Sequence, residues 1–219
     1  MFSSDRILAL NVGASKIVLA EFIVRSGRPP ELTNYGMSEL GVDPENDAGV
    51  GVHLIPAIRE IMKTRGIRPA PMMLSLSGQM VFPRFVRLPA VAEDKLLQMV
   101  QYVVEQNVPF PMNEIVWNYQ FIGDASSGEQ SAMIVAAKIE SVREITDRVV
   151  EMALEPEIVD VAPMALYNCL RYNYADLSGC TMVLDIGARS TNLIFLEDEK
   201  IYNRCIKVAG NAITNELAK

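Results

Sequence analysis

Apolar residues fall along this chain in short runs broken by glycine- and proline-rich turns, and the runs switch between strand and helix periods. Ile7 to Val12 and Ile17 to Phe22 are compact apolar runs on either side of Gly13-Ala14-Ser15, which reads as a hairpin. Glu31 to Met37 predicts a third strand after the turn Gly27-Arg28-Pro29-Pro30. Leu40 to Gly51 is rich in Gly, Asp, Asn and Pro and reads as a loop. Ile55, Ile58, Ile61 and Met62 recur at helical spacing, which predicts a helix over 55–65 closed by Gly66. Strands are expected over 72–76 and 81–88.

From about Phe82 to Val161 the order becomes strand, helix, strand, strand, helix, strand, the pattern of a small split α/β module. Its first helix opens at Ala92-Glu93-Asp94, acids suited to the positive end of the helix dipole. Leu96, Leu97, Val100, Val103 and Val104 are expected to form one apolar stripe on it. Pro109-Phe110-Pro111 ends that region, because proline cannot continue a helical hydrogen-bond ladder. Strands over 115–122 and 132–138 follow, joined by the polar loop Asp124 to Gln130. A helix over 142–154 turns Ile145, Val149 and Met152 inward, and a strand closes the module over 158–161.

A short apolar helix from Pro163 to Tyr172 leads to strands over 182–185 and 193–196, with Gly187-Ala188-Arg189-Ser190-Thr191 between them. The polar turn Glu197 to Lys200 and a strand over 201–208 come next. Gly210-Asn211-Ala212 starts a helix only two turns old at Lys219. A complete lobe would bury that helix against a full sheet, so the expectation is a chain truncated within its second lobe.

The two glycine turns are copies of one element. Leu8-Ala-Leu-Asn11-Val-Gly13-Ala-Ser15 and Val183-Leu-Asp185-Ile-Gly187-Ala-Arg-Ser190 each deliver a short acid or amide, a β-branched residue, then Gly-Ala. Glycine lets a backbone approach a phosphate closely, and successive N–H groups with a Ser or Thr hydroxyl can cradle its oxygens. Gly13, Ala14, Ser15 and Lys16, with Gly187, Ala188, Ser190 and Thr191, are therefore the candidate cofactor-binding residues. Two lobes so opened would face each other across a nucleotide cleft. Asn11 and Asp185 stand at the strand tips, where a carboxylate can hold hydrated Mg2+ beside phosphates. No residue is identifiable as catalytic.

Composition narrows the partners. A net charge of −7 with scattered Lys and Arg argues against nucleic acid and against adhesion to an anionic membrane surface. The single histidine, His53, leaves any metal chemistry to carboxylates. Cys169, Cys180 and Cys205 form no C-x-x-C pair, which fits a reducing compartment. No apolar run is long enough to span a membrane, and Met-Phe-Ser-Ser-Asp-Arg is not a signal-peptide start.

The paired loops resemble the phosphate motifs of the actin, Hsp70 and sugar-kinase superfamily. The stretch Val103-Val-Glu-Gln-Asn-Val-Pro109-Phe110-Pro111-Met-Asn-Glu114-Ile-Val-Trp-Asn-Tyr119-Gln120 is similar to the signature of PilM-type pilus assembly proteins. In that family a helix runs into an Ile-Pro-Phe-Pro turn and then a strand ending near Asp-Tyr-Gln. Ile134 to Lys138, Val142 to Val150, Ile158 to Leu166 and Arg204 to Thr214 continue the likeness, which covers nearly the whole chain. Val-Ala-Gly210-Asn-Ala-Ile-Thr stands where the family has Gly-Gly-X-X-hydrophobic-Thr, and this adds Gly210 to the cofactor-binding candidates.

The resemblance implies an α/β, actin-like (ribonuclease H-like) two-lobed fold. Residues 1–81 and 162–180 would form the first lobe, 82–161 an inserted subdomain shared with the division protein FtsA, and 181–219 the start of the second lobe. It implies a cytoplasmic component of the type IV pilus inner-membrane platform that binds ATP and Mg2+. Its partners would be the N-terminal peptide of the membrane protein PilN, gripped between the inserted subdomain and the first lobe, and other platform proteins.

Departures weigh on activity. The first loop carries Asn11 where the superfamily has Asp, and an amide cannot neutralise a cation. The superfamily's lysine seven residues after that position is replaced by Val18. Loss of one carboxylate predicts ATPase activity that is weak or absent, and a nucleotide-binding scaffold rather than an efficient enzyme. Two other readings share the fold: the cytoplasmic part of a GspL-type secretion protein, and a small-molecule kinase, against which the lack of a distinct Asp motif between Gly66 and Leu88 counts. Trp117 and Tyr119 read as sheet-packing residues, Pro109-Phe110-Pro111 as a rigid turn, Arg189 as an exposed turn residue, Cys180 and Cys205 as packed thiols, and His53 as a surface residue.

Overall fold

The computed structural model describes residues 5–41, 50–89, 93–122, 129–174, 176–197 and 200–219. Strands β1 (Arg6–Val12), β2 (Lys16–Ile23) and β3 (Glu31–Glu39) form an antiparallel meander. The chain crosses over through helix α1 (Val50–Arg65) to β4 (Pro71–Leu76), which pairs parallel with β1. A parallel neighbour cannot be reached by a tight turn, so a crossover helix is required here.

The next strand of the chain, β5 (Val81–Pro89), starts a separate sheet. After helix α2 (Glu93–Asn107) come β6 (Ile115–Ile122) and β7 (Glu129–Lys138), giving the antiparallel order β5-β7-β6. Helix α3 (Ile139–Val150) and β8 (Glu155–Val161) then return to the first sheet, whose order is β3-β2-β1-β4-β8 with β8 parallel to β4. Helix α4 (Ala162–Asn173) leads into a third sheet, the meander β9 (Cys180–Ile186), β10 (Thr191–Glu197) and β11 (Lys200–Ile206), and helix α5 (Gly210–Leu217) ends the chain.

Three apolar clusters hold these layers. Leu54, Ile58 and Ile61 of α1 and Ile145 and Val149 of α3 pack with Leu8, Leu10, Met72, Leu74 and Leu76 of the first sheet. Val100 and Val104 of α2 cover the face of the second sheet formed by Ala132, Ile134 and Ala136. Met133, on the opposite face, joins Met164 of α4 and Ile194, Leu196 and Ile201 of the third sheet. The central strand β7 is thus covered on both faces, which suits its near-continuous apolar sequence.

Several expectations change. The six-element module expected over 82–161 divides: α3 and β8 belong to the first sheet and its core, because Ile145 and Val149 find their apolar surface there. Helix α1 begins at Val50, a turn before the expected Ile55, since fully buried Leu54 extends the stripe; the rest of the expected loop, 42–49, lies outside the described residues, as does 124–128 of the polar loop before β7. Strand β7 starts at Glu129 because Glu129 and Gln130 pair with Pro89 and Leu88. Leu97 is exposed and leaves the α2 stripe. Helix α3 covers 139–150 rather than 142–154, because Ala153 adopts a left-handed φ of 57° and Leu154 N–H closes onto Val149 O, an end that puts Met152 in the turn. Cys180 is exposed at the start of β9 and not packed, while Cys205 is half-buried.

Candidate functional site

The two glycine turns are built alike. Gly13 N–H donates to Lys16 O at 3.1 Å and Gly187 N–H to Ser190 O at 2.9 Å, each turn closing an antiparallel pair. A Cβ at Gly13 would lie 2.7 Å from Lys16 O, and one at Gly187 2.9 Å from Ser190 O. The turn by itself therefore demands glycine at both positions, whether or not a phosphate approaches. In the first turn Ser15 and Lys16 are exposed and Gly13 and Ala14 half-buried, and Ser15 O accepts from Leu40 N–H at 2.8 Å.

The second turn is more heavily engaged. Its Gly187 and Ala188 carbonyls accept the first amides of α5, Gly210 N–H at 3.0 Å and Asn211 N–H at 2.9 Å. Thr191 belongs to β10 rather than to the loop: it is buried, and its hydroxyl donates to Val208 O at 2.6 Å, so it is occupied by the fold. Ser190 is half-buried. Asp185, half-buried near the end of β9, accepts from Asn192 Nδ2 at 2.8 Å. The loop after β4 meets this turn, with Gln79 Nε2 donating to Arg189 O at 3.4 Å.

A cavity of about 470 Å³ opens at that junction, lined by Gln79, Ala188, Arg189, Lys207, Asn211 and Asn215 among others. Two cationic side chains beside the start of a helix give it the chemistry of an anion site. The first turn does not line it. Asn11 instead lies exposed on β1 in register with Ser75 of β4, which is in register with Asp160 of β8. These three polar residues form a row at the carboxyl ends of the parallel strands, where ligands of open α/β sheets gather. Among the described residues no three or more His, Cys, Asp or Glu converge as a metal site. Asp185 alone, with one carboxylate oxygen left by Asn192, suits the mode in which Mg2+ takes one carboxylate and completes its shell with water and phosphate oxygens.

A second feature lies away from both turns. A groove of about 540 Å³ runs between β6 on one wall and β8 with α4 on the other, lined by Val116 to Gln120, Val159 to Val161, Met164 and Tyr167, with Met133 and Val135 behind. Both β6 and β8 are terminal strands of their sheets, so the groove has an unpaired strand edge on each side. Among the described residues Asp160 is the one charged side chain in its lining. Burial pushes the Asp160 carboxyl above the usual carboxylate range, although the Val161 N–H that it accepts at 2.7 Å pulls the other way.

The remaining sequence candidates are structural. Trp117, Tyr119 and Phe121 pack against the α2 cluster. Phe110 meets Phe82 edge-to-face at 4.8 Å under the Lys138 ammonium, so the Pro109-Phe110-Pro111 turn is anchored by packing. His53 is exposed on α1. Asn192, Gln79, Lys207 and the groove residue Asp160 were not among the candidates read from the sequence. Only Asn192 carried a signal, an amide at the tip of an apolar strand, the same signal as Asp185.

Two meanders opened by matched glycine turns, with a small sheet inserted after the first crossover, define an actin-like fold. The chain belongs to the type IV pilus assembly protein PilM family, whose model matches residues 32–219. It is similar to a solved chain of a PilM-PilN type IV pilus biogenesis complex, with 26% identity, a TM-score of 0.83, 97% of this chain covered and 64% of that one. The chain thus spans somewhat under two thirds of that relative. Fold alone is shared with the cytoplasmic domain of EpsL, an inner-membrane component of the type II secretion system of Vibrio cholerae, at 11% identity and a TM-score of 0.60 over 92% of this chain and 71% of that one. The same holds for a Bacteroides thetaiotaomicron protein with an actin-like ATPase fold and unknown function, at 9% identity and a TM-score of 0.53 over 99% and 76%. No helix of the described residues is long and apolar enough to cross a membrane.

Proposed function

We propose that this chain is a cytoplasmic scaffold of the type IV pilus inner-membrane platform, which grips the N-terminal peptide of a PilN-type membrane protein and holds a nucleotide. The groove between β6 and β8 carries this reading. It is apolar, open and flanked by unpaired strand edges, in a member of the PilM family that is similar to a chain solved in a PilM-PilN complex. Attachment to the inner membrane, and contact with other platform proteins, run through that partner. Sheet membership supports drawing the inserted subdomain as 81–138, with 139–161 returned to the first lobe and 181–219 opening the second.

The second-turn cavity, with Arg189, Lys207 and Asn211 in its lining, would hold the nucleotide, and Asp185, bonded to Asn192 and outside that lining, is the carboxylate that would supply Mg2+ binding. The first turn, Gly13 to Lys16, stands apart from that cavity, and Asn11 beside it offers an amide and no charge. With one carboxylate instead of two, ATP is held and turned over slowly or not at all.

Calorimetric titration of the protein with a synthetic PilN-type N-terminal peptide tests the reading. Saturable binding is expected, and Asn168→Trp, an exposed rim position on α4, should abolish it by filling the groove. A protein that is folded and binds no such peptide removes the proposal.

A further inference from the structure

The two edges that flank the groove carry the same small device. Tyr119 N–H on β6 donates to the side-chain Oδ1 of its own neighbour Asn118 at 2.8 Å, and Val161 N–H on β8 donates to Asp160 Oδ1 at 2.7 Å. Each amide is bonded to the side chain of the residue before it, on a strand that ends its sheet. Local Asn and Asp bonds of this kind compete with ladder pairing and are easily exchanged for a backbone acceptor. They keep an unpaired edge hydrogen-bonded until another strand arrives.

The walls differ in what they offer. Five consecutive residues of β6, Val116 to Gln120, line the groove, against three of β8. On β6, Val116, Asn118 and Gln120 pair with Ala137, Val135 and Met133, so they share the groove face, while Trp117 and Tyr119 turn their rings to the α2 side. Across from this edge stands Asp160, a half-buried carboxylate with no Lys, Arg or His beside it among the described lining residues. An apolar groove holding one unmatched anion is complementary to an apolar segment that carries one cation.

We propose that the groove takes its peptide as an added strand on the β6 edge, a peptide carbonyl replacing Asn118 at Tyr119 N–H, and that Asp160 on the opposite wall selects a basic side chain of that peptide. This rests on the groove being the peptide site and adds its pairing edge and its charge-reading residue. Apolar side chains of the strand alternate into the surface formed by Met133, Val135 and Met164, and main-chain bonds supply the rest, the usual division in strand addition. The lysine or arginine head group then forms a charge-assisted hydrogen bond with the Asp160 oxygen that does not serve Val161 N–H.

The test uses N-acetylated PilN-type peptides that differ only in carrying lysine, arginine, norleucine or glutamate at each position in turn, so that the peptide amine cannot supply the charge. At one position the basic peptides should bind about tenfold tighter than the norleucine peptide. Asp160→Asn should erase that preference, and Asp160→Glu should restore part of it. Amide exchange on the bound protein should show new protection at Tyr119. Equal binding of basic and norleucine peptides, with Asp160→Asn indifferent, overturns the charge assignment while peptide binding stands. Protection at Val161 without Tyr119 overturns the pairing edge. A protein that binds none of the peptides removes the groove as a peptide site, and this inference with it.

Discussion

Asn192 donates from Nδ2 to Asp185 Oδ2 at 2.8 Å, while its own Oδ1 is buried without a hydrogen-bond partner. Asn192 is only 5% exposed, so this amide is held in place for the sake of the neighbouring acid. Changing Asn192→Asp sets a second carboxylate against Asp185 in a nearly dry position. The variant should lose about 3 kcal/mol at neutral pH by urea denaturation, in the range of an uncompensated buried charge. An unchanged midpoint would mean that the pair does not bear on the fold.

Gly78, in the turn after β4, brings the first lobe against that same amide. A Cβ there would lie 2.5 Å from Asn192 Oδ1 and 3.0 Å from Pro163 Cγ. Gly78→Ala should cost about 1–3 kcal/mol through overpacking. Adding Asn192→Ala should recover part of that loss, because one of the clashing atoms is gone. A double-mutant cycle with no coupling would contradict the contact.

Asp160 sets a pH dependence. Burial raises its folded pKa above the ordinary aspartate value, so its protonated form favours the fold. That contribution is fully present below the unfolded pKa and is lost as pH rises through the folded one. Asp160→Asn keeps an oxygen for Val161 N–H and carries no charge. The variant should match wild type in acid and melt higher than wild type at neutral pH, as thermal melts of both across pH will read. A wild type more stable than the variant at neutral pH would refute the assignment.

Lys207 is exposed at the second-turn cavity. Lys207→Gln should weaken Mg-ATP binding several-fold in calorimetry without moving the melting temperature of the nucleotide-free protein, since a solvated cation contributes little to the fold. Phosphate release should remain at or near background in both. Steady turnover by the wild type would overturn the scaffold reading of Asn11.

Much of this was legible along the chain. The hairpin at Gly13, its copy at Gly187, the stripe Ile58, Ile61 on α1 and the turn at Pro109 follow from period and turn chemistry, which are local. Leu97 does not follow its stripe, because a periodic stripe says nothing about what lies opposite and α2 is covered on a narrower arc than its sequence suggests; Met152 packs inward as expected, from the turn after α3. Thr191 was read as a loop hydroxyl because its acceptor, Val208 O, is far along the chain.

By itself the sequence determined the elements, the repeat of the glycine turns and the likeness to the PilM family, since these reside in short spans and in order. Tertiary structure decided the rest. It moved α3 and β8 out of the inserted sheet, because their apolar faces are complementary to the first sheet. It joined Asn192 to Asp185 and Gly78, and it set the unpaired edges of β6 and β8 across one groove with Asp160 between them. An unpaired edge and an unmatched carboxylate are properties of what is absent from a residue's surroundings, and no linear pattern records surroundings.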